Sequence, residues 1–360
     1  MRADLLEQVG MVCPRCRGPA LGASPLRLER VLVRNGDEVL DGILACGRPQ
    51  CAARYPVLRG VPVVVKDLTR WWEAEGRGGM GPLPGDPALA GFLHGLEEGS
   101  RSGRGRRGLL GCQAEFHYGA GRSGGARLEP AGPPAEDYWS VVAKLLDVPD
   151  SSPRGLVLDM GCSVGRATFD LARGSIVAVG IDLSLEQVAW AEALRRGDRV
   201  TYERLRHGRT YERITLDLRL PENAFFAVAD ALDPPFLEAG FDLVAALNLL
   251  DSVSLPLVLL GQMDALLKPG GDLVLGSPYA WSEDIADAGE WLEREGATPA
   301  QFVREILEGR ALPATGFRYS IVEERDRVAM PLRQHDRHVS VFDVHLLRAT
   351  RAPADAKEIH

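Results

Sequence analysis

Five short runs of almost unbroken apolar residues recur through the second half of the chain: GLVLD (155–159), SIVAVGID (175–182), AFFAVAD (224–230), FDLVAALN (241–248) and GDLVLGSP (271–278). Runs of this length without polar alternation predict strands buried on both faces, as in a parallel sheet. RATFDLA follows the first run, and the apolar helix LPLVLLGQMDALL (255–267) joins the fourth to the fifth, capped by Lys268, Pro269, Gly270 and Gly271. Strand and helix in alternation predict an α/β fold built on a doubly wound parallel sheet. Downstream, Thr298 and Pro299 begin a helix through Leu307 by the N-cap and first-turn-proline rule. The segments FRYSIVEERDR and VSVFDVHLLRAT (317–327 and 339–350) then read as a closing antiparallel hairpin.

The first half has a different texture. YPVLRGVPVVV (55–65) is apolar, but between Gly76 and Gly125 there are 16 glycines, with the basic run RSGRGRRG at 101–108. Such a stretch buries too little apolar surface to offset its ordering entropy, so it is expected to be a mobile tether, read as a solvated linker whose arginines could also touch a polyanion. Trp71 and Trp72 at its start and GFLHGL (91–96) are candidates for docking on the catalytic domain. The organisation expected is therefore 1–68, 69–112 as linker, 113–350 as catalytic domain and 351–360 as tail.

Within 1–68, Cys13, Cys16, Cys46 and Cys51 form C-P-R-C and C-G-R-P-Q-C pairs. Two short-spaced thiolate pairs can close a tetrahedral zinc site around which hairpins too small for a core will fold, and four thiolates leave no open position, so the zinc is expected to be structural. Disulfides are the alternative and need an oxidising compartment. The cysteines running into YPVLRGVPVVV resemble the zinc-ribbon activator proteins of tRNA, rRNA and protein methyltransferases. On this reading the β-rich ribbon folds as its own module, and losing a cysteine leaves cofactor binding by the remainder intact.

The turn after the first strand carries the chemistry. Asp159, Gly161, Ser163 and Gly165 spell D-x-G-x-S-x-G, and Asp182 ends the second strand 23 positions after Asp159. A dinucleotide fingerprint wants G-x-G-x-x-G. The spacing here, with KPGG before the fifth strand, resembles class I S-adenosylmethionine (SAM) methyltransferases, with Ser163 in place of the middle glycine; a Rossmann-type turn for another nucleotide is the alternative. LDMGCSVGRATFDLAR, VGIDLS, NLLDSVSLPLVLLGQM, GSPYAWSED and EFHYG (115–119) resemble the methyltransferase domain attached to the ovothiol-forming sulfoxide synthase. NLLD also resembles the protein-histidine N-methyltransferases of the DREV type.

Ligands of open α/β sheets bind at the carboxyl ends of strands. The resemblance then implies Asp182, with Leu183 and Ser184, at the ribose, Asp230 and Ala231 at the adenine edge, and Gly161, Cys162, Ser163 and Gly165 at the methionine half. Asp159 would orient the turn or meet the amino group. Asn248 is expected near cofactor and acceptor, Asp251 as the carboxylate that orients an imidazole, Tyr279 and Trp281 as walls, and His117 and Tyr118 as a cover. Asp251 could instead cap the helix near Leu255, and the two aromatics could be packing residues. Asp233-Pro234-Pro235-Phe236 resembles the D/N-P-P-Y/F motif of amino-methyltransferases but follows the third strand rather than the fourth, which argues against amide and adenine acceptors.

The activity implied is N-methylation of a histidine or histidine derivative, free, thiolated or peptidyl. The alternatives are an RNA or ribosomal-component methyltransferase gripping substrate with its ribbon, and a non-enzymatic SAM-binding protein. The formal charge of -8 argues against a nucleic-acid partner. No apolar run reaches spanning length, so no membrane partner is expected, and the polar amino terminus makes a cytoplasmic location the expectation.

Overall fold

The computed structural model of the chain describes residues 1–17, 22–76, 109–119, 137–146 and 153–353. GFLHGL and RSGRGRRG lie outside them. The first unit opens with helix α1 (Ala3–Val9), which ends on Gly10 at φ 63, a left-handed position that glycine takes without strain. Four antiparallel strands follow, β1 (Leu26–Asn35), β2 (Glu38–Cys46), β3 (Arg54–Leu58) and the two-residue β4 (Val61–Pro62). Helix α2 (Leu68–Trp71) is capped by the Asp67 carboxylate, which accepts from Arg70 N, and continues as a wide turn over Trp72–Gly76. Helices α3 (Leu109–Tyr118) and α4 (Tyr138–Leu146) lead to the second unit.

That unit runs β5 (Arg154–Met160), α5 (Arg166–Ala172), β6 (Ser175–Asp182), α6 (Leu185–Arg195), β7 (Val200–His207), β8 (Thr210–Leu216), β9 (Ala224–Val228), β10 (Phe241–Leu247), α7 (Pro256–Leu266), β11 (Leu267–Ser277), α8 (Pro299–Leu307), β12 (Tyr319–His335) and β13 (His338–Arg351). Seven strands form one sheet in the order β12-β13-β11-β10-β5-β6-β9. The five apolar runs pair in parallel, and β12 and β13 close the edge antiparallel. This is the doubly wound arrangement that the uninterrupted apolar strands require, since both faces must be covered. Thr298 and Gln301 form a reciprocal capping box at the start of α8, as Thr-Pro indicated.

Two features differ from expectation. KPGG does not cap α7: β11 already starts at Leu267, and it advances from Leu267 to Asp272 while β10 advances only from Phe241 to Leu243. Pro269 has no N–H for a ladder and Gly270 sits at φ 78, so this stretch bows out of the strand. The hairpin β7–β8 was not foreseen; its turn, Gly208-Arg209, joins strands that pair only with each other. It supports α3, because Tyr202 Oη and Arg204 both donate to the Glu115 carboxylate.

The ribbon is not an isolated module. Its Met11, Leu44 and Tyr55 belong to the same buried cluster as Phe225 of β9, Phe236 of the loop that follows it and Met263 of α7. Val64 N donates to Val228 O at 2.8 Å, and Val63 bridges Val228 in parallel, so the chain leaving β4 extends the sheet beyond its edge strand β9. Trp71 and Trp72 are buried against the large unit, and Trp71 Nε1 donates to Leu183 O at 2.9 Å. Among the described residues no helix is long and apolar enough to cross a membrane.

Candidate functional site

Strands β5, β6, β9, β10 and β11 end at one rim, and the sequence-derived candidates of the large unit lie there. Gly161 N and Cys162 N both donate to Ile181 O, and Ser163 N donates to the Asp182 carboxylate at 3.0 Å, so the turn after β5 is fixed by the end of β6. Ser184 N takes the other Asp182 oxygen at 2.9 Å. Leu183 points its side chain to solvent and contributes its carbonyl to Trp71. The glycines also have packing reasons: a Cβ on Gly161 would come within 2.9 Å of Leu249, and one on Gly165 within 2.9 Å of the Phe226 ring. Gly161 thereby fits the turn against the NLLD segment.

Asp159 is buried and accepts from Thr168 Oγ1 at 2.6 Å. Burial, with the nearby Asp182 charge, pushes its carboxyl up to about 7 against that hydrogen bond. Cys162 is buried beside it, and burial raises its thiol well above the ordinary range, so it is a packing residue rather than a nucleophile. Asp230 closes its own turn, accepting from Leu232 N at 2.8 Å, with Ala231 buried beside it.

Three residues other than glycine hold a left-handed backbone at this rim: Ser163 (φ 50), Asn248 (φ 55) and Tyr279 (φ 53). Each follows a different strand, and for a bulky Tyr such a φ costs about 1–3 kcal/mol, strain that accumulates at working sites. Ser163 explains how the middle glycine could be replaced: serine takes the same conformation at some cost. Asn248 Nδ2 donates to Tyr138 Oη at 2.9 Å, while Asn248 Oδ1 and Ser163 Oγ are buried without a hydrogen-bond partner.

Asp251 is 6% exposed and stands in a single 3-10 turn, Leu250–Ser252. Its Oδ2 accepts from Ala280 N at 2.7 Å and it also bonds the Ser277 hydroxyl, so it ties the end of β10 to the segment after β11. Burial raises its carboxyl above the ordinary range. It does not cap α7, whose N-cap is Leu255 with no side-chain cap bond. Tyr279 packs on Trp281 (centroids 6.1 Å apart), and Trp281 stacks on Trp291 at 6.5 Å with planes 12° apart. The structure thus gathers Asn248, Asp251, Tyr279 and Trp281 around the ends of adjacent strands.

His117 and Tyr118 do lie against this rim. Tyr118 Oη donates to Val164 O, Arg166 donates to His117 O, and burial, then the Arg166 charge, pushes the His117 imidazole down to about 3. Sequence reasoning missed His345 and Glu324. His345 Nδ1 lies 2.8 Å from Tyr279 Oη and its Nε2 3.0 Å from Glu324 Oε1. The one signal was a histidine set between Val344 and Leu346 in a strand.

The four cysteines meet with all sulfurs within 4.8 Å of one another, and no disulfide joins them. Sγ separations of 3.9 Å (Cys13, Cys51) and 3.7 Å (Cys16, Cys46) match the edge of a tetrahedron with Zn–S near 2.3 Å, about 3.8 Å. Arg48 N and the Ser24 hydroxyl lie 3.4 and 3.2 Å from Cys46 Sγ, the outer support that orients a thiolate ligand. The knuckle also grips the large unit. Arg17 donates to Pro234 O and pairs with Asp233 at 2.8 Å, and Val12 N donates to Pro235 O at 2.9 Å. The DPPF tetrapeptide is therefore a docking point for the ribbon, three residues past Asp230.

Residues 158–275 match the family model of a methyltransferase domain. Norajmaline N-methyltransferase of Rauvolfia serpentina is 27% identical over 134 residues, 37% of this chain and 39% of that protein. Ubiquinone biosynthesis O-methyltransferase of Haemophilus ducreyi is 31% identical over 123 residues, 34% of this chain and 44% of that one. The chain thus spans less than half the length of these curated relatives. A SAM-dependent methyltransferase of Methanosarcina mazei, 19% identical, aligns over 60% of this chain and 99% of its own with a TM-score of 0.40. The catalytic unit is a class I SAM-dependent methyltransferase domain. One curated relative is named for nitrogen and the other for oxygen methylation.

Proposed function

We propose that this chain transfers a methyl group from SAM to a ring nitrogen of histidine or a histidine derivative. The observation that carries the reading is the buried Asp251 carboxylate, which accepts from Ala280 N between Tyr279 and Trp281 and so joins the ends of β10 and β11. SAM supplies an electrophilic methyl on a sulfonium. For that group the residues present fit: Ser163 Oγ and Asn248 Oδ1 are buried polar atoms in want of partners, suited to the amino and carboxylate ends of the cofactor. Asp182 suits the ribose hydroxyls, and Asp230 with Ala231 the adenine edge.

In-line displacement needs positioning more than a strong base. An imidazole, with an ordinary pKa near about 6.5, already offers a lone pair on one nitrogen at neutral pH. Asp251 then accepts the other ring N–H, selects the tautomer and steadies the imidazolium that forms, as a triad aspartate does for its histidine. Trp281 offers an aromatic face to the same cation. Incubating the protein with SAM tritiated on the methyl and a cell extract tests the class: label should enter the small-molecule or protein fraction on histidine, and label confined to RNA would favour a nucleic-acid acceptor.

Asp159 makes a pH prediction. With its carboxyl near 7 in the free protein, the ammonium of an arriving cofactor favours the ionised form and so expels a proton. The free group is largely protonated at pH 6 and ionised at pH 8, so SAM affinity should rise by about tenfold between them. Calorimetry in two buffers of different ionisation enthalpy should show proton release at pH 7; a pH-independent affinity would remove Asp159 from contact with the cofactor's charge.

A further inference from the structure

Tyr279, His345 and Glu324 form a hydrogen-bonded line from the rim toward the surface. Tyr279 follows β11, His345 is opposite Ser277 in the β11–β13 ladder, and Glu324 is on β12. His345 is 3% exposed, while the Glu324 side chain is 29% exposed and is held from α8 by Arg304, whose guanidinium donates to Oε2 at 3.1 Å. The partners fix the hydrogens. An ionised Glu324 can only accept, so His345 Nε2 carries the hydrogen; neutral His345 then has a lone pair on Nδ1, and Tyr279 must donate its O–H there.

We propose that His345 and Glu324 are positioning residues that hold Tyr279 as a hydrogen-bond acceptor toward the methyl acceptor. This rests on the imidazole reading above. With its hydrogen committed to His345, the phenol presents only lone pairs elsewhere, beside the Asp251 carboxylate. The ring N–H and the positive charge that spreads over an imidazole as it gains a methyl then meet only electron-rich oxygens. Burial, then the charges of Asp251, Asp326 and Glu324, push the Tyr279 phenol upward, so it stays protonated and keeps that orientation.

The arrangement also reverses. When His345 gains a proton, Nδ1–H donates to Tyr279 Oη, and the phenol hydrogen is turned away from His345. No bond other than that new N–H is made. The groups facing His345 and Tyr279 are Glu324 from β12, Asp326 beyond it, Asp251 from the turn after β10 and, through Glu324, Arg304 from α8. Acid therefore converts an acceptor into a donor and should repel the forming cation.

Two measurements test this. In protein labelled with nitrogen-15 in its histidines, the His345 ring should show the Nε2–H tautomer at pH 7.5, and that preference should be lost in Glu324→Leu, where nothing accepts from Nε2. An Nδ1–H tautomer, or a preference unchanged in that variant, overturns the proposal without reference to any acceptor. In single-turnover methylation of L-histidine, Glu324→Gln should keep more of its plateau rate at pH 6 than the unaltered protein, with the acid limb displaced to lower pH. Tyr279→Phe should lose that dependence on residue 324. A merely structural role would slow turnover at every pH alike, and that result also overturns it. If L-histidine is not methylated at all, the acceptor reading fails while the ring measurements still decide the tautomer.

Discussion

Replacing Asp251 with Asn is expected to lower methyl transfer by roughly a hundredfold or more, since loss of preorganised electrostatic stabilisation costs about 3 kcal/mol. The substitution is a clean probe because Asn can still accept from Ala280 N and so keeps the link between the ends of β10 and β11. The carboxylate is buried, so its charge acts at full strength on a cation forming beside it. Burial also holds its pKa above the ordinary range, and ionisation is lost as pH falls through that raised value; activity should decline toward acid earlier than a solvent-exposed aspartate would dictate. SAM affinity should barely move. Single-turnover rates and cofactor titrations on the two proteins check this, and a variant as fast as the original would remove Asp251 from the chemistry.

Cys46→Ser is expected to release the metal and to destabilise far more than residues 1–68. Structural zinc contributes roughly 10 to 16 kcal/mol in small zinc domains, and losing one thiolate forfeits a large share of it. Because Met11, Leu44 and Tyr55 share a core with Phe225 and Phe236, the loss propagates into the methyltransferase unit. At about 2–4 °C per kcal/mol, the melting temperature of the whole chain should fall by roughly 10 °C or more. Arg17 and Val12 hold the DPPF loop just past Asp230 and Ala231, so SAM affinity should weaken by about tenfold, ~1.4 kcal/mol, as the adenine-side loop loses its clamps. This revises the expectation of an independent ribbon. Metal analysis, melting curves and calorimetry together decide it: an intact cofactor affinity in metal-free protein would restore the modular view.

Much of the fold was legible because parallel strands advertise themselves. Each of the five apolar runs became a strand of the main sheet, and Thr298-Pro299 opened its helix. The β7–β8 hairpin escaped because VTYERLRH and TYERITL are too polar to read as buried strands; only Val200, Tyr202 and Leu216 are buried in the core, and Glu115 and the strands' own pairing hold the rest. KPGG misled because Pro and Gly punctuate a helix end and a strand bulge alike. In the candidate site, residues adjacent in a motif could be found, since D-x-G-x-S-x-G, NLLD and SPYAW each lie on one rim loop. His345 and Glu324 could not, because their meeting with Tyr279 depends on the register of β11, β13 and β12, which no local pattern encodes. The docking role of DPPF was hidden for the same reason: its partner, Arg17, is more than two hundred residues away.

The central claim is that a histidine ring nitrogen receives the methyl group. Supplying the purified chain with SAM carrying carbon-13 in its methyl, together with L-histidine and a histidine-containing peptide, tests it directly. The account predicts a new carbon-13 signal at the position of an N-methylimidazole in at least one acceptor, one methyl per ring, and its disappearance with Asp251→Asn. A methyl signal on oxygen, or a protein that binds SAM with its zinc in place and yet leaves every histidine ring unmethylated, would contradict it.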